Sequence, residues 1–362
     1  GMAMHQILSK KERFFKQVIL TSRDEVYVGI DVHKINCHVA IRLNGTIALT
    51  YVTPSDNQTL VRQMQQLQPA LRKVVYEAGP TGFSLVRALR QASLPAAVVA
   101  PSKTLRPAAP QSKSDRLDCR QLAEFAAKDL LVEVTIPTEQ EEADRQVVRL
   151  RNQLRKKCMC IKQQIKSFLL QYNLKEPQGL ESWTQRSVQC LRELALGSQL
   201  RFTLDILLDQ LGYFQTQLKR VDKQLETIFG QEGYNRQIEI LKSHPGVGPL
   251  TSKMFIAEVY QPQRFNQSTQ VARYLGLCPR VSQSGQKRVE GRLMKEGQIK
   301  LRACLVEAAW VWITEDPAAK ETFRRLLHNT GEPNKAIAAM ARRLAIHLWK
   351  MLCTQQCYRK SA

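Results

Sequence analysis

The chain has 362 residues, of which 54 are Lys or Arg and 32 are Asp or Glu, so its formal net charge is +22. An excess of this size predicts a polyanionic partner, and nucleic acid is the simplest one. The sequence contains no run of about 18 apolar residues and no secretory signal, which excludes a transmembrane helix and secretion. We therefore expect a soluble, cytoplasmic, nucleoid-associated protein whose nine cysteines are reduced thiols.

The first part of the chain predicts a mixed α/β sheet. After a basic leader over residues 1–24, residues 25–45 have the alternation of two strands, and residues 45–51 form a third strand beyond an Asn-Gly turn. Three strands followed by alternating strands and helices is the order of a ribonuclease H-like fold, although other α/β folds share this spacing. The later predicted elements are helices over 56–71 and 83–92 and short strands over 73–76 and 96–100.

Four acidic residues lie where such a sheet presents catalytic carboxylates. Asp31 and Glu77 each follow a short apolar strand, and Asp115 and Asp118 are three residues apart at the start of a predicted helix, where they share a face. Because Mg²⁺ prefers carboxylate oxygens, the four acids predict a magnesium site for phosphodiester chemistry. Taken singly, Asp115 and Asp118 also suit the positive end of a helix dipole with Ser114 as its cap, Asp31 suits a turn, and Glu77 suits a surface.

Residues 137–236 predict long, charged helices. Apolar residues recur at steps of three and four in two runs, and the second run alternates these steps without a break, as a coiled-coil seam does. This pattern predicts an antiparallel helix pair or a dimer interface, and a plain helical hairpin remains the alternative. The cations beside the first run favour nucleic acid over a merely solvated surface. The first run is Val147, Leu150, Leu154, Cys158, Ile161, Ile165 and Phe168, and the second is Leu204, Leu207, Leu211, Phe214, Leu218, Val221, Leu225 and Ile228.

Residues 237–362 contain two further patterns that point to phosphate. Gly246 and Gly248 lie in a turn between predicted helices, where backbone N–H groups approach a phosphate as in a helix-hairpin-helix element; the alternative is a connection that merely needs glycine. Further on, small and basic residues predict a loop that wraps a phosphate and presents a hydroxyl to it. Ser284 is the best-placed hydroxyl, with Ser282 as its rival. The cations predicted to bind nucleic acid here are Lys287, Arg288, Arg292, Lys295 and Arg302.

The motifs, taken together and in order, resemble the DEDD transposases of insertion-sequence family one-ten, to which Piv-type DNA invertases are related. The resemblance covers about residues 25 to 350. Its amino-terminal motifs are residues 27–34, 76–82 and 113–118, and its carboxy-terminal motifs are residues 245–248, 276–279, 283–285 and 295–297 with 301–302. The sequence departs from the family pattern at Cys119 and Gln298, and neither is one of the four acidic positions.

This resemblance implies a RuvC-like domain over 25–136, a coiled-coil helical region over 137–236 and a transposase domain over 237–362. It also implies that the four acids bind Mg²⁺, that Ser284 is the nucleophile, and that a structured noncoding RNA, the bridge RNA, pairs with target and donor DNA. Dimers or tetramers would join the acids of one subunit to the serine of another. The residues alone leave two alternatives open: a metal-dependent nuclease or resolvase that activates water, and a non-catalytic nucleic-acid-binding protein.

Overall fold

A computed structural model describes residues 8–100, 117–284, 287–293 and 298–360, with the backbone alone described from residue 280 to residue 293. The chain divides into two compact units, Gly1–Ile136 and Pro137–Ala362. Within the described ranges, every helix is too short or too polar to cross a membrane.

The first unit is built on a five-stranded mixed sheet, which confirms the predicted α/β class. The strand order is β3-β2-β1-β4-β5, with β1 antiparallel to β2 and parallel to β4. This arrangement is compatible with a RuvC-like domain. The elements of the unit are α1 Lys10–Gln17, β1 Val26–Val32, β2 Asn36–Leu43, β3 Thr46–Pro54, α2 Asn57–Gln65, β4 Leu71–Glu77, α3 Ser84–Gln91, β5 Ala96–Val99 and α4 Cys119–Ala127.

Two local signals explain where these elements begin and end. The β2–β3 hairpin turns through Asn44 and Gly45, both with positive φ (47° and 98°), as the Asn-Gly pair predicts. The helix predicted over 56–71 is wrong in length, since α2 ends at Gln65 and Leu71 already opens β4. Pro69 lies between them, and proline removes the N–H that a continuing helix needs.

Helices cover both faces of the sheet. Val28 and Ile30 of β1 face a core that includes Leu60 of α2 and Leu89 of α3. Since successive strand residues point to opposite faces, Tyr27 points to the other side, where it packs in the cluster that contains Leu122 of α4. The residues of β1 that share the face of Tyr27 therefore point towards α4.

The second unit is mostly helical, as predicted for this part of the chain. Its two longest helices, α5 and α7, pack against each other within one chain. Arg151 Nε lies 2.5 Å from Asp222 Oδ1, and Lys157 Nζ lies 5.2 Å from the ring centroid of Phe214. Positions therefore rise along α5 as they fall along α7, which makes the pair antiparallel. The helices of the unit are α5 Glu139–Gln171, α6 Gln185–Glu193, α7 Ser198–Phe229, α8 Glu232–Lys242, α9 Pro249–Val259, α10 Ser268–Tyr274, α11 Ile299–Glu315, α12 Pro317–Thr330 and α13 Pro333–Thr354.

The segment predicted as a phosphate-wrapping loop is instead built on a two-stranded antiparallel hairpin. Strand β6 spans Pro279–Ser284 and β7 spans Lys287–Leu293, with Ser282 opposite Val289 and Ser284 opposite Lys287. Valines at positions 281 and 289 favour strands, a signal that the many small residues of this segment conceal.

Candidate active site and nucleic-acid interface

Asp31 and Glu77 lie side by side at the ends of two neighbouring parallel strands. Ile30 of β1 pairs with Tyr76 of β4, so the next residues are Asp31 and Glu77. Strand alternation places Asp31 on the face of Tyr27, and Glu77 on the face of Val75, which packs in the α4 cluster. Both carboxylates therefore occupy the α4 side of the sheet.

The start of α4 brings Asp118 to the same place. Glu77 Oε1 accepts a hydrogen bond from the backbone N–H of Leu117 at 3.3 Å, which ties the residue before Asp118 to the end of β4. A Cβ on Gly29, two residues before Asp31 on the same face, would lie 2.1 Å from the carbonyl oxygen of Cys119. The absence of a side chain at Gly29 is thus what lets α4 begin directly over β1.

The ionisation of Cys119 reports the charge at this edge. Burial raises the pKa of its thiol, and the negative charges of Asp118 and Asp31 raise it further. Both carboxylates are therefore close enough to the thiol to act on it through space. The thiol is protonated at neutral pH, which argues against a nucleophilic role for Cys119.

Asp118 does not lie on a helical face, contrary to the prediction. It is the N-cap of α4: its Oδ1 accepts from the backbone N–H of Gln121 at 2.8 Å, and the Gln121 side chain accepts from the N–H of Asp118 at 3.1 Å. The argument that Asp115 and Asp118 share a face therefore fails for Asp118. Asp115 lies outside the described residues.

His33 holds Asp31 in place, a contact that the sequence analysis missed. Its Nε2–H donates to Asp31 Oδ2 at 2.9 Å, and its ring centroid lies 5.7 Å from that of His38, the residue opposite Asp31 on β2. The only signal in the sequence was the closeness of the two residues along the chain: His33 lies just beyond the end of β1, so strand alternation does not specify the contact.

The donor chemistry of these acids fits a hard divalent cation. The contacts described above engage Oδ2 of Asp31 and Oδ1 of Asp118, which leaves the second oxygen of each carboxylate for a cation. Among the described residues, no three His, Cys, Asp or Glu side chains converge in metal-ligating geometry. The predicted set has a fourth member, Asp115, outside those residues, and it stays a prediction.

The two glycines of the Pro-Gly-Val-Gly turn have different surroundings. Gly246 has φ +82°, and a Cβ there would lie 2.3 Å from the carbonyl oxygen of Ala308 on α11, so packing requires glycine. Gly248 precedes α9, and among the described residues no atom lies within 4 Å of the position its Cβ would take. The described residues thus leave open space on the Cβ side of Gly248, and the first N–H groups of α9 are those of Leu250 and Thr251, because Pro249 has none.

The residues predicted around the serine are distributed over the hairpin and α11. Ser284 is the last residue of β6, and Lys287, Arg288 and Arg292 lie on β7. Arg302 belongs to α11, where its Nη1 donates to the carbonyl oxygen of Gly276 at 3.3 Å. Lys295 lies outside the described residues.

The cations of α5 fall into two groups. Arg149 forms a bidentate pair with Glu258, with both N–O distances 2.9 Å, and Arg151 pairs with Asp222. These two cations hold the second unit together. By contrast, three successive cations one turn further on have exposed side chains and remain accessible to a polyanion: Arg155, Lys156 and Lys157.

Two family models match the chain. Residues 28–174 match a DEDD transposase model for insertion-sequence elements of the IS110 type, and residues 238–324 match a model described as "Transposase IS116/IS110/IS902 family". The chain belongs to the IS110 family of DEDD transposases. It is accordingly an enzyme of the transposase class.

Individual relatives of this transposase agree over most of its length. The transposase for insertion sequence element IS1533 of Leptospira borgpetersenii is 27% identical over 353 residues, covering 93% of this chain and 98% of that protein. Putative transposase y4qE of Sinorhizobium fredii is 28% identical, covering 83% of this chain and 75% of that protein. The transposase for insertion sequence element IS1111A of Coxiella burnetii is 25% identical and covers 80% of each chain.

Proposed function

We propose that this transposase cleaves and rejoins DNA strands in a Mg²⁺-dependent reaction, with a covalent intermediate at Ser284 and a structured noncoding RNA as its guide. The observation that carries the proposal is the placement of Asp31 and Glu77 side by side at the ends of adjacent parallel strands, with Asp118 at the start of α4 on the same side of the sheet. A cluster of carboxylates attracts a divalent cation, and the charge of +22 attracts the phosphodiester backbone.

Asp31, Glu77 and Asp118, with Asp115, would hold the metal. When bound, Mg²⁺ supplies neutralisation of the scissile phosphate and stabilises the charge that develops in the displacement. The chain's own contribution is to fix the carboxylates before DNA arrives: His33 orients Asp31, the Leu117 N–H orients Glu77, and the cap of α4 orients Asp118.

Ser284 would perform the covalent step. Its Oγ attacks phosphorus and loses its proton, the bond from phosphorus to the 3′ oxygen breaks, and that oxygen takes up a proton to give a free 3′-hydroxyl. The resulting phosphoserine linkage conserves the bond energy for rejoining. Two features favour this position: Ser284 ends β6 opposite Lys287, and the paired strand also carries Arg288 and Arg292. Together with Lys295, these cations would surround the phosphate with positive charge.

The remaining assignments follow the same division of the chain. We assign residues 25–136 to a RuvC-like catalytic domain, 137–236 to a coiled-coil region and 237–362 to a transposase domain. The exposed cations of α5 would contact the backbone of the guide RNA, while base pairing selects target and donor DNA. The N–H groups behind Gly248 would contact a phosphate in the manner of a helix-hairpin-helix element. A homodimer or homotetramer would bring the acids of one subunit to the serine of another.

The test is a denaturing gel that detects a covalent adduct between protein and DNA. Purified protein is incubated with Mg²⁺, labelled DNA that spans the junction of its element, and the RNA encoded in the flanking DNA. Ser284→Ala and Glu77→Gln are expected to abolish the adduct. Ser282→Ala is the matched control, because it removes a hydroxyl from the same strand two residues away.

Each result has a separate meaning. An adduct that disappears in Ser284→Ala and persists in Ser282→Ala supports serine chemistry. Cutting that persists in Ser284→Ala without an adduct overturns the serine step and leaves a hydrolytic nuclease. If the protein binds DNA without any Mg²⁺-dependent reaction, and Glu77→Gln binds equally well, the catalytic proposal is overturned and a nucleic-acid-binding protein remains. If leaving out the RNA does not change which DNA site is cut, the proposal that the RNA guides the enzyme is overturned.

A further inference from the structure

A cavity of about 500 Å³ opens in the first unit, at the sheet edge where Asp31 lies but on the opposite face. Its buried floor consists of Cys37, Leu60 and Leu85, which belong to the core beneath α2 and α3. This is the side away from α4. The volume falls within the roughly 300 to 1,000 Å³ of pockets that bind small molecules. The walls and rim are formed by Val32, His33, Lys34, Ser55, Asn57, Pro80, Thr81 and Ser84.

Hydrogen bonds among the lining residues fix the shape of this cavity. Ser55 Oγ donates to the carbonyl oxygen of His33 at 2.5 Å and lies 3.3 Å from Cys37 Sγ, which ties the end of β3 to the β1–β2 turn. Asn57 Nδ2 donates to Ser84 Oγ at 3.2 Å, which ties α2 to α3. The walls of the cavity are thus formed before a ligand binds, which reduces the conformational entropy lost on binding.

His33 connects the cavity to the acidic edge. It lines the cavity while its Nε2–H donates to Asp31 Oδ2 at 2.9 Å. Its side chain is half exposed, so part of the imidazole is accessible to a ligand. A single side chain, that of His33, therefore separates the cavity from Asp31.

The lining has the chemistry of a nucleotide site. An apolar floor suits the face of a base, the Asn57 amide and the hydroxyls of Ser84 and Thr81 suit its polar edge, and an exposed histidine ring suits stacking. Lys34 at the rim supplies a cation for a phosphate. The lining residues include no carboxylate.

We propose that this cavity receives an unstacked DNA base from a nucleotide adjacent to the scissile phosphate, with Lys34 contacting the neighbouring phosphate. The proposal rests on the proposed function in one respect, since it takes the acidic edge as the place of the scissile phosphate. It assigns to His33 a second contact, stacking on the base, besides its bond to Asp31.

Photocrosslinking tests the occupant directly. The full chain is irradiated in Mg²⁺ buffer with a short single-stranded DNA that carries one 4-thiothymidine, and crosslinked peptides are mapped by mass spectrometry. Crosslinks are expected within residues 33–37, 55–60 or 80–85. Thr81→Leu, which narrows the mouth from an exposed position, is expected to lower this yield at least about fivefold, whereas Thr46→Leu, at the opposite edge of the sheet, is expected to leave it unchanged.

A second pair of variants isolates the phosphate contact. Lys34→Gln is expected to lower the crosslinking yield. It should also make the yield less sensitive to salt concentration, by the amount that corresponds to the loss of about one phosphate contact. Lys128→Gln is the matched control, because Lys128 is exposed at the far end of α4. Thermal melting of each variant establishes that the fold is kept.

The competitors distinguish the possible occupants. The base-binding claim is overturned if a strand with an abasic site, or inorganic phosphate, suppresses crosslinking as well as the intact strand does. An RNA strand of the same sequence that crosslinks more strongly to these peptides overturns the DNA claim, as do crosslinks confined to other parts of the chain. Because the crosslink is scored whether or not the strand is cut, it can be present when the separate adduct test on junction DNA with RNA is negative; that pair of results would refute the serine mechanism and leave the cavity assignment intact.

Discussion

Replacing Gly29 by alanine tests whether α4 lies where the candidate site needs it. The added Cβ would lie 2.1 Å from the carbonyl oxygen of Cys119 and 2.7 Å from both Ala123 N and Leu122 Cβ. Two of these three atoms belong to the backbone, so a side-chain rotation cannot relieve the overlap. The helix must move away from the sheet by about an ångström, and overpacking of this kind costs about 1 to 3 kcal/mol.

The same displacement moves Asp118, the N-cap of α4, relative to Asp31 and Glu77. A misplacement of about 1 Å in a catalytic group costs on the order of a hundredfold in rate. We therefore expect Gly29→Ala to lower the unfolding free energy by about 2 kcal/mol, the middle of that range. We also expect it to lower Mg²⁺-dependent cleavage by about two orders of magnitude.

Urea unfolding followed by two signals makes this test specific. All four tryptophans (Trp183, Trp310, Trp312 and Trp349) lie in the second unit, so circular dichroism reports both units while tryptophan fluorescence reports the second. Gly29→Ala should shift the transition seen by circular dichroism. Gly212→Ala in α7 is the control: the described residues leave space for its Cβ, and alanine should stabilise the helix by up to about 1 kcal/mol. If Gly29→Ala proves as stable as the wild type, the placement of α4 over β1 is refuted.

Three other expectations concern the second unit. Arg149→Met should lower the unfolding free energy by about 3 kcal/mol, because it leaves the buried Glu258 carboxylate without its partner, and urea titration measures this loss. Ile165→Ala, at a fully buried position, should cost about 2 to 5 kcal/mol, and Leu170→Ala, at a position 83% exposed, less than about 0.5 kcal/mol by the same titration. Burial lowers the pKa of His244 to about 4, so its contribution to stability is complete above about pH 6.5 and is lost as the pH falls towards 4. This loss amounts to up to about 3 kcal/mol and is measured by unfolding at a series of pH values.

The controls separate each cause from general damage. The double variant Arg149→Met with Glu258→Met should recover much of the lost stability, and a double variant no better than the single would refute the charge argument. His244→Phe should flatten the acid dependence. Part of that dependence should remain, since His347 also has a pKa lowered by burial and then by Lys350 and Arg343. An unchanged acid slope in His244→Phe would show that His244 contributes nothing to it.

Local pattern singled out candidate acids but not which of them lie side by side. Asp31 and Glu77 follow apolar strands, which the sequence states directly, but only the pairing of β1 with β4 places them side by side. Such pairing joins residues more than 40 positions apart, and a hydrophobic period carries no information on which strand is the neighbour. The partner of Asp31 was missed for a different reason: the hydrogen bond of His33 depends on a turn geometry that the spacing does not specify.

The buried positions of a long helix were predicted well where the helix packs against one other helix. They were predicted poorly where a second helix also becomes its neighbour. Ile161 and Ile165 of α5 are buried against α7, as their spacing predicts. Leu150 was assigned to the same stripe but is 43% exposed, while Val148 is buried. At that end α5 packs on α9 as well as on α7, as the pairs of Arg149 with Glu258 and of Arg151 with Asp222 show, so the buried face shifts. A single hydrophobic period in the sequence cannot describe a helix that packs against two other helices on different sides.

The large positive charge does not act as one undivided surface. Arg149 and Arg151 are neutralised by Glu258 and Asp222 in partly buried pairs, which salt screens weakly. Exposed cations such as Lys156 are screened within a Debye length of about 8 Å at physiological ionic strength. Raising the salt concentration should therefore release nucleic acid before it loosens the helices that present these cations. The cations paired within the fold are thus different residues from the exposed cations available to a polyanion, so a change that weakens binding to a polyanion is expected to leave the paired cations, and the stability they provide, unaffected.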